Sequence, residues 1–501
     1  MTAKTRNVPP RASAMMEALR GLGYSTAAAL ADIVDNSVSA GASEVRISFA
    51  WEGEGSRVTV LDDGRGMNDL GLEGAMRLGD KNPLDERAPG DLGRFGVGLK
   101  TASFSQCRRL TVASKAIGGD LCCLRWDLDA IAARPEDGWL LFEGPADGSE
   151  RHLTPLQEMT SGTLVLWEQL DRIVTDGYTA DHFGDLLDNV EKRLAMVFHR
   201  LLQGPGPRLC LRLNGRPITP WDPFMSGHPG KPWNSPVERR FTPSGVVEAE
   251  CHVLPHRDRM TLDEHDAAAG PEGWTSQQGF YVYRNGRLLL AGGWLGLGQG
   301  RAWNREEAQR LARIRLDIPN TADADWKIDI RKSTARIPVS LRPWLTRLAE
   351  DTREKARHVF AWRGAPMAVA GDGAVEQAWR LDRTRAGARY RIDENHPAVA
   401  VALDASGPAN ALVRAMLRVI EETVPVQRIW LDTAENRETP KTGFDGEPPE
   451  NVRAVLATLF QSMVARGVEP AAAKRTLLAT EPFHNYPALV GELPEGGGAA
   501  H

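Results

Sequence analysis

The chain predicts an α+β fold: a sandwich of an open antiparallel sheet with helices on one face, then a second α/β domain, then a mostly helical C-terminal region. Three observations predict it. Two helix-like segments across 12–40, split at 21–23, precede β-like runs at 44–50 and 57–61. A short helix at 67–78 and another at 96–106 lead into strands at 108–115, 119–127 and 163–168. An amphipathic helix at 181–203 then starts a new set of strand-like runs near 208–213, 247–253 and 279–291.

The remaining elements follow in order. Residues 79–92 are polar and rich in loop formers and predict a mobile loop. The Pro-, Gly- and Trp-rich stretch 220–245 predicts a long insertion. A helix is expected at 302–312, a strand near 313–318 and a helix over about 341–362, with 364–376 as a linker. Beyond it, helices at 409–422 and 449–466 flank a short strand at 427–431. With 501 residues, roughly 100–200 per domain gives two to four domains. The expected boundaries are 1–175, 176–345, a helix and linker over 346–376, an α-rich domain of unknown role at 377–490, and a disordered tail at 491–501.

Composition excludes several classes. Hydrophobic content of 42% and charged content of 25% are those of a globular protein. A net charge of −5 argues against a basic nucleic-acid coat. The five cysteines are odd in number and lack CxxC spacing, so neither a zinc site nor a disulfide framework is expected. No secretory leader pattern and no run of about 18 apolar residues occurs, so a cytoplasmic protein without membrane contact is expected.

Three constellations carry chemistry. In the helix over 28–37, Leu30, Ile33, Val34 and Ser37 share one face, and Asp32 and Asn36, spaced i,i+4, share the opposite one. An amide oxygen is a hard ligand suited to Mg²⁺, and a carboxylate one turn away can polarise a water for attack on a γ-phosphate. The same pair would also suit a solvated helix face. Next, Asp62-Asp63-Gly64-Arg65-Gly66-Met67 ends a strand. Its glycines let backbone approach a flat ring, and Asp62 can accept an exocyclic adenine amine. Alone, this is also an ordinary strand-to-helix turn. Third, Gly93, Gly96, Val97, Gly98, Lys100 and Thr101 lie in a glycine-rich run entering a helix, where free N–H groups suit phosphate. The run is not a P-loop, because Leu99 intrudes before Lys100, and its GxxGxG order is not the dinucleotide fingerprint.

In this order, the segments resemble the GHKL superfamily of gyrase B subunits, a heat-shock chaperone, histidine kinases and MutL. ADIVDNSVSAGAS resembles the helix box with the base and the metal-binding Asn, and LDDGRGM the adenine box. GRFGVGLKTASFSQC resembles the lid and second glycine box, and SGTLVLWEQL the late strand whose Thr, here Thr163, sits near adenine. The resemblance implies an ATP-binding sandwich of the Bergerat type over 1–175, with ATP and Mg²⁺ as cofactors, Asn36 as metal ligand and Asp32 as base. Asp32 stands where the family carries Glu, so its carboxylate falls about 1.5 Å short, and slow turnover is expected.

GFYVYRNGRLLLAGGW at 279–294 resembles a segment of the Microrchidia (MORC) ATPases. DWKIDIRKSTARIP at 325–338 falls where those proteins carry a transducer lysine for the γ-phosphate, here Lys327, with Lys332 as the alternative. This implies a transducer-type domain and an ATP-dependent homodimeric clamp on DNA, in bacteria a component of restriction or anti-phage systems, with partner proteins. A chaperone-like ATPase and a nucleotide-binding regulator with little turnover are the alternatives. Two arginine-rich segments, Arg301, Arg305, Arg310, Arg313 and Arg315, and Arg380, Arg383, Arg385, Arg389 and Arg391, would serve phosphate contact or a solvated face. Trp379 and Tyr390 would stack on bases or pack into a core.

Overall fold

The computed structural model describes the chain outside residues 1–5, 7, 9, 81–97, 135, 137, 205–207, 299, 330–331, 333, 362–376, 385–386, 428, 430–448, 484–485 and 495–501. It divides into two compact units, Met1–Met367 and Ala368–His501.

The first unit holds two sheets. The strands of the first are β1 (Glu44–Ala50), β2 (Arg57–Asp62), β3 (Arg109–Lys115), β4 (Leu121–Asp127), β5 (Phe142–Glu143), β6 (Gly162–Glu168), β7 (Cys210–Leu213) and β8 (Arg216–Pro217). They run in the order β5-β4-β3-β6-β2-β1-β7-β8, antiparallel except for β1 with β7. Strand β1 alternates strictly, with Val45, Ile47 and Phe49 buried, as a strand with one core face must. Onto that face pack α1 (Ala12–Arg20), α2 (Thr26–Ser39), α3 (Asp69–Met76) and α4 (Gly98–Phe104). Helix α2 starts at Ser25, whose side chain accepts from the Ala28 N–H. It is held by Leu30, Ile33 and Val34, all at most 2% exposed, each contributing about 2 kcal/mol of burial.

The long helices keep to one face as expected, but the opposite face is not bare: it carries a 3-10 turn (Glu150–Leu153) and a four-residue helix (Thr154–Gln157). Along β6, Val165 and Trp167 join the main core, while Leu164 and Leu166 point the other way onto Leu153 and Leu156. Nor does the first sheet end at residue 175, since β7 and β8 extend it to Pro217 and the helix Ala180–Val197 packs into its core.

The second sheet comprises β9 (Trp233–Asn234), β10 (Glu238–Thr242), β11 (Gly245–Val253), β12 (Gly279–Arg284), β13 (Arg287–Ala291) and β14 (Ala312–Asp317). Its order is β10-β11-β14-β12-β13, with β9 also on β11 and the helix Arg342–Ala361 packed against it. The stretch expected as an insertion therefore supplies two strands. The helix expected at 302–312 is only a 3-10 turn at Glu307–Gln309, because Ala312–Asp317 is drawn between β11 and β12. Its arginines consequently form no common cationic face. Arg301 and Arg305 are exposed, Arg310 and Arg313 are buried, and Arg315 pairs with Glu250 at 2.7 Å.

A small core lies between the helix Ala180–Val197 and the second sheet. Met196, Phe224, Tyr281, Tyr283 and Leu288 pack together, and His199 Nε2 lies 2.8 Å from the Tyr283 hydroxyl. Nearby, Lys231 Nζ lies 2.8 Å from His252 Nδ1. Burial pulls His199 down to about 4 and His252 to about 3.

The second unit carries a hairpin of β15 (Trp379–Thr384) and β16 (Gly387–Ile392), absent from the sequence expectation, and helices including Pro397–Ala405, Asn410–Thr423, Glu450–Ala465 and Pro470–Leu478. Leu456, Leu459, Phe460, Leu477 and Phe483 form its core. In place of the strand expected at 427–431, Gln427 and Ile429 are helical, and residues 428, 430 and 431 lie outside the described residues. Arg391 pairs with Glu421 at 2.6 Å, and Tyr390 is exposed rather than packed. The expected linker at 364–376 lies outside the described residues, as does the expected tail at 491–501 from residue 495 on, while Gly491 closes the helix Pro487–Gly491.

Candidate nucleotide site

Sheet register builds one end of the site. Asp62 on β2 pairs with Thr163 on β6, which pairs with Ser114 on β3, so three residues distant in sequence form one row. Asp62 is buried, and three donors point at its carboxylate: the Ser37 hydroxyl at 2.7 Å, the Gly64 N–H at 3.0 Å and the Thr163 N–H at 3.2 Å. Burial pushes the carboxyl above its usual range against these three bonds. The Ser114 hydroxyl accepts from the Met67 N–H at 2.9 Å and lies 2.9 Å from the Thr163 hydroxyl. Gly66 adopts φ +65°, and a Cβ there would stand 1.9 Å from the Lys115 carbonyl oxygen, so only glycine fits this turn. A carboxylate offers about four acceptor sites. With three taken, Asp62 retains capacity for one further donor, which fits an adenine amine.

Helix α2 links this end to a charged one. Asp32 is buried, not on a solvated face: the Tyr24 hydroxyl donates to its Oδ2 at 3.1 Å and Lys332 Nζ to its Oδ1 at 2.9 Å. Asp35 accepts from Lys332 Nζ at 2.5 Å and from Arg287 Nε at 3.1 Å on both oxygens. Burial pushes the Asp35 carboxyl up, but the charges of Arg287 and Lys332 outweigh it and hold the group below the usual carboxylate range. Burial, with Asp32 beside it, raises the Tyr24 hydroxyl well above the usual tyrosine range. Asn36 is exposed, so its amide is available to a cation. The start of α4 faces Asp32, since a Cβ on Gly98 would lie 3.8 Å from its Oδ2. Lys100 is buried, and its Nζ donates to the Ala75 carbonyl at 2.8 Å. Gly93, Gly96 and Val97, and most of the expected lid, lie outside the described residues.

The lysine reaching this site is Lys332 and not Lys327. Trp326 and Ile328 are buried in the second core, which turns Lys327 outward to solvent. Lys332 sits in the left-handed region, φ 53°, in a turn where its N–H donates to the Asp329 carbonyl at 3.0 Å. Sequence reasoning also missed Tyr24, Ser114 and Arg287, and counted Ser37 only as part of the apolar face. Ser37 interrupts that stripe with a polar group, and Arg287 follows an Asn285-Gly286 turn at the head of an apolar run. Both were visible signals.

The site thus joins two buried carboxylates on α2 to a third at the glycine turn that ends β2. Residues 24–163 match the family model of histidine kinase-, DNA gyrase B-, and HSP90-like ATPases. That span opens on Tyr24 and closes on Thr163, each of which hydrogen-bonds a site carboxylate. No curated protein matches the chain. No described helix is long and apolar enough to cross a membrane, and no group of three or more His, Cys, Asp or Glu among the described residues could hold a metal ion.

Proposed function

We propose that this protein binds and slowly hydrolyses Mg·ATP, and that nucleotide state governs an N-terminal homodimer that acts on DNA as a MORC-like clamp. One observation carries the reading: Lys332, beyond the second sheet, lies 2.9 Å from a carboxylate on α2, 300 residues earlier in the chain. Asp62, Gly64, Gly66, Met67 and Thr163 would hold adenine, and Gly98 and Lys100, with Gly93, Gly96 and Val97, the phosphates. Asn36 would hold Mg²⁺, which supplies charge neutralisation to the phosphates. Asp32 would orient and deprotonate the attacking water. Lys332 would exchange its contact with Asp32 for the γ-phosphate, the group that distinguishes ATP from ADP. A ligand shifts such an equilibrium only through differential affinity for the two states, and this exchange would supply the difference. The DNA assignment rests on the resemblance over 279–294.

Light scattering tests the reading. A non-hydrolysable ATP analogue should give a compact dimer and ADP should not, while Lys332→Ala should bind ATP yet stay monomeric. The same mass in every nucleotide state would refute the clamp. Hydrolysis stimulated by DNA with a steep salt dependence supports DNA as the target, and stimulation by unfolded protein instead would transfer the reading to a chaperone.

A further inference from the structure

Four buried charges meet at α2. Asp32, Asp35, Arg287 and Lys332 are 5%, 1%, 4% and 8% exposed, and their formal charges cancel. Buried ions persist only as compensated groups, so each must keep a partner whenever the others move. The two cations are held differently. Arg287 places Nε 3.1 Å from both Asp35 oxygens and Nη2 3.1 Å from Oδ2, while Nη1 donates to the Leu288 carbonyl at 2.7 Å. Its planar fork is committed on every side. It is also aimed by backbone: Asn285 and Gly286, at φ 49° and 79°, form a tight two-residue turn that sets the register of β13. Lys332, by contrast, is a point charge on a flexible stem, shared between Asp32 and Asp35.

We infer that Arg287 is a positioning residue of the hydrolytic site, which neutralises Asp35 from the second sheet and so leaves Lys332 free to exchange between Asp32 and nucleotide. This rests on the nucleotide-gated reading above. When Lys332 departs, Asp35 retains its guanidinium, and Asp32 retains the Tyr24 hydroxyl at 3.1 Å and Arg287 Nη2 at 3.8 Å. Without Arg287, two carboxylates would share one ammonium, and that ammonium would be locked between them. Arg287 touches neither nucleotide nor water in this scheme; it acts through Asp35 and Lys332, and keeps Nη2 3.8 Å from Asp32.

The test uses the full chain with Arg287→Gln, Arg287→Lys, Asp35→Asn and the double variant Arg287→Gln/Asp35→Asn. ATP affinity is measured by calorimetry and kcat by phosphate release. The amine-acylation rate of Lys332, with and without a non-hydrolysable ATP analogue, is read by mass spectrometry. In Arg287→Gln, kcat should fall at least about tenfold while ATP affinity stays within about threefold, because the adenine contacts are untouched. The analogue should change Lys332 acylation in the wild type and leave it unchanged in Arg287→Gln. The double variant should recover most of kcat, since one carboxylate and one ammonium again balance. An unchanged kcat, or loss of affinity and kcat together without recovery in the double variant, overturns the proposal. If Arg287→Gln does not fold, Arg287→Lys decides. It keeps the charge but loses the fork, so retained affinity with a kcat and an analogue response lower than those of wild type supports the role, and wild-type behaviour overturns it. A wild type that binds ATP without hydrolysis would remove the catalytic reading alone. The acylation comparison then still decides, and equal nucleotide responses in wild type and Arg287→Gln would overturn the positioning role.

Discussion

Replacing Asp62 by Asn removes one acceptor and adds a donor while keeping the shape. The amide oxygen can take over the N–H groups of Gly64 and Thr163, now at 3.0 and 3.2 Å. The amide NH₂ then faces the Ser37 hydroxyl, which can turn its own proton toward the Ile33 carbonyl, 3.5 Å away. The fold should therefore survive with a small loss of stability. Nucleotide binding should not. The fourth acceptor site is gone, and an adenine amine would meet a donor. Leaving a buried donor unpaired costs about 1–3 kcal/mol, which is roughly a 5- to 150-fold loss of affinity. Calorimetry with ATP measures the loss, and thermal unfolding without nucleotide checks that the fold is intact. Unchanged ATP affinity in a folded Asp62→Asn protein would refute the adenine assignment.

Three other outcomes are expected. Asp32→Asn should bind Mg·ATP and release no phosphate, whereas Asn36→Ala should lose the Mg²⁺-dependent part of binding; wild-type hydrolysis by Asp32→Asn would move the base elsewhere, with Asp35 the first residue to examine. Gly66→Ala should abolish ATP binding and unfold at lower temperature, because its Cβ would fall 1.9 Å from the Lys115 carbonyl oxygen; a wild-type midpoint would show that the turn relaxes freely. Acidification should destabilise the protein through His199 and His252. Their folded pKa values, about 4 and about 3, lie below the ordinary 6.5, so the unfolded chain binds more protons and stability falls as pH drops through 6.5. At pH 5 each should have lost about 2 kcal/mol relative to pH 7. Denaturant titrations at the two pH values measure it, and His252→Gln should remove about half of this histidine-linked fall; a fall of the same size in that variant would refute the assignment.

Local chemistry determined much of this protein from sequence alone. Helix periodicity located α2 within the predicted segment, and strand alternation located β1, β2, β3, β4 and β6 to within two residues. The Asp62 turn was legible because positive φ at Gly66 is a local demand that one residue type meets. Such features depend on neighbours within a few positions, and those neighbours are written side by side. The charged end of the site was decided by tertiary structure. Lys327 and Lys332 differ little as residues in a segment, and the choice between them came from Trp326 and Ile328 entering a core whose other members lie far away. The arginines at 310 and 313 read as surface charge, yet both are buried, Arg313 on a strand enclosed between β11 and β12 and Arg310 in the turn that leads into it. Arg287 meets Asp35 across 252 residues. Pairing over that distance depends on how two sheets dock, and docking is set by the summed burial of many side chains, which no local period records.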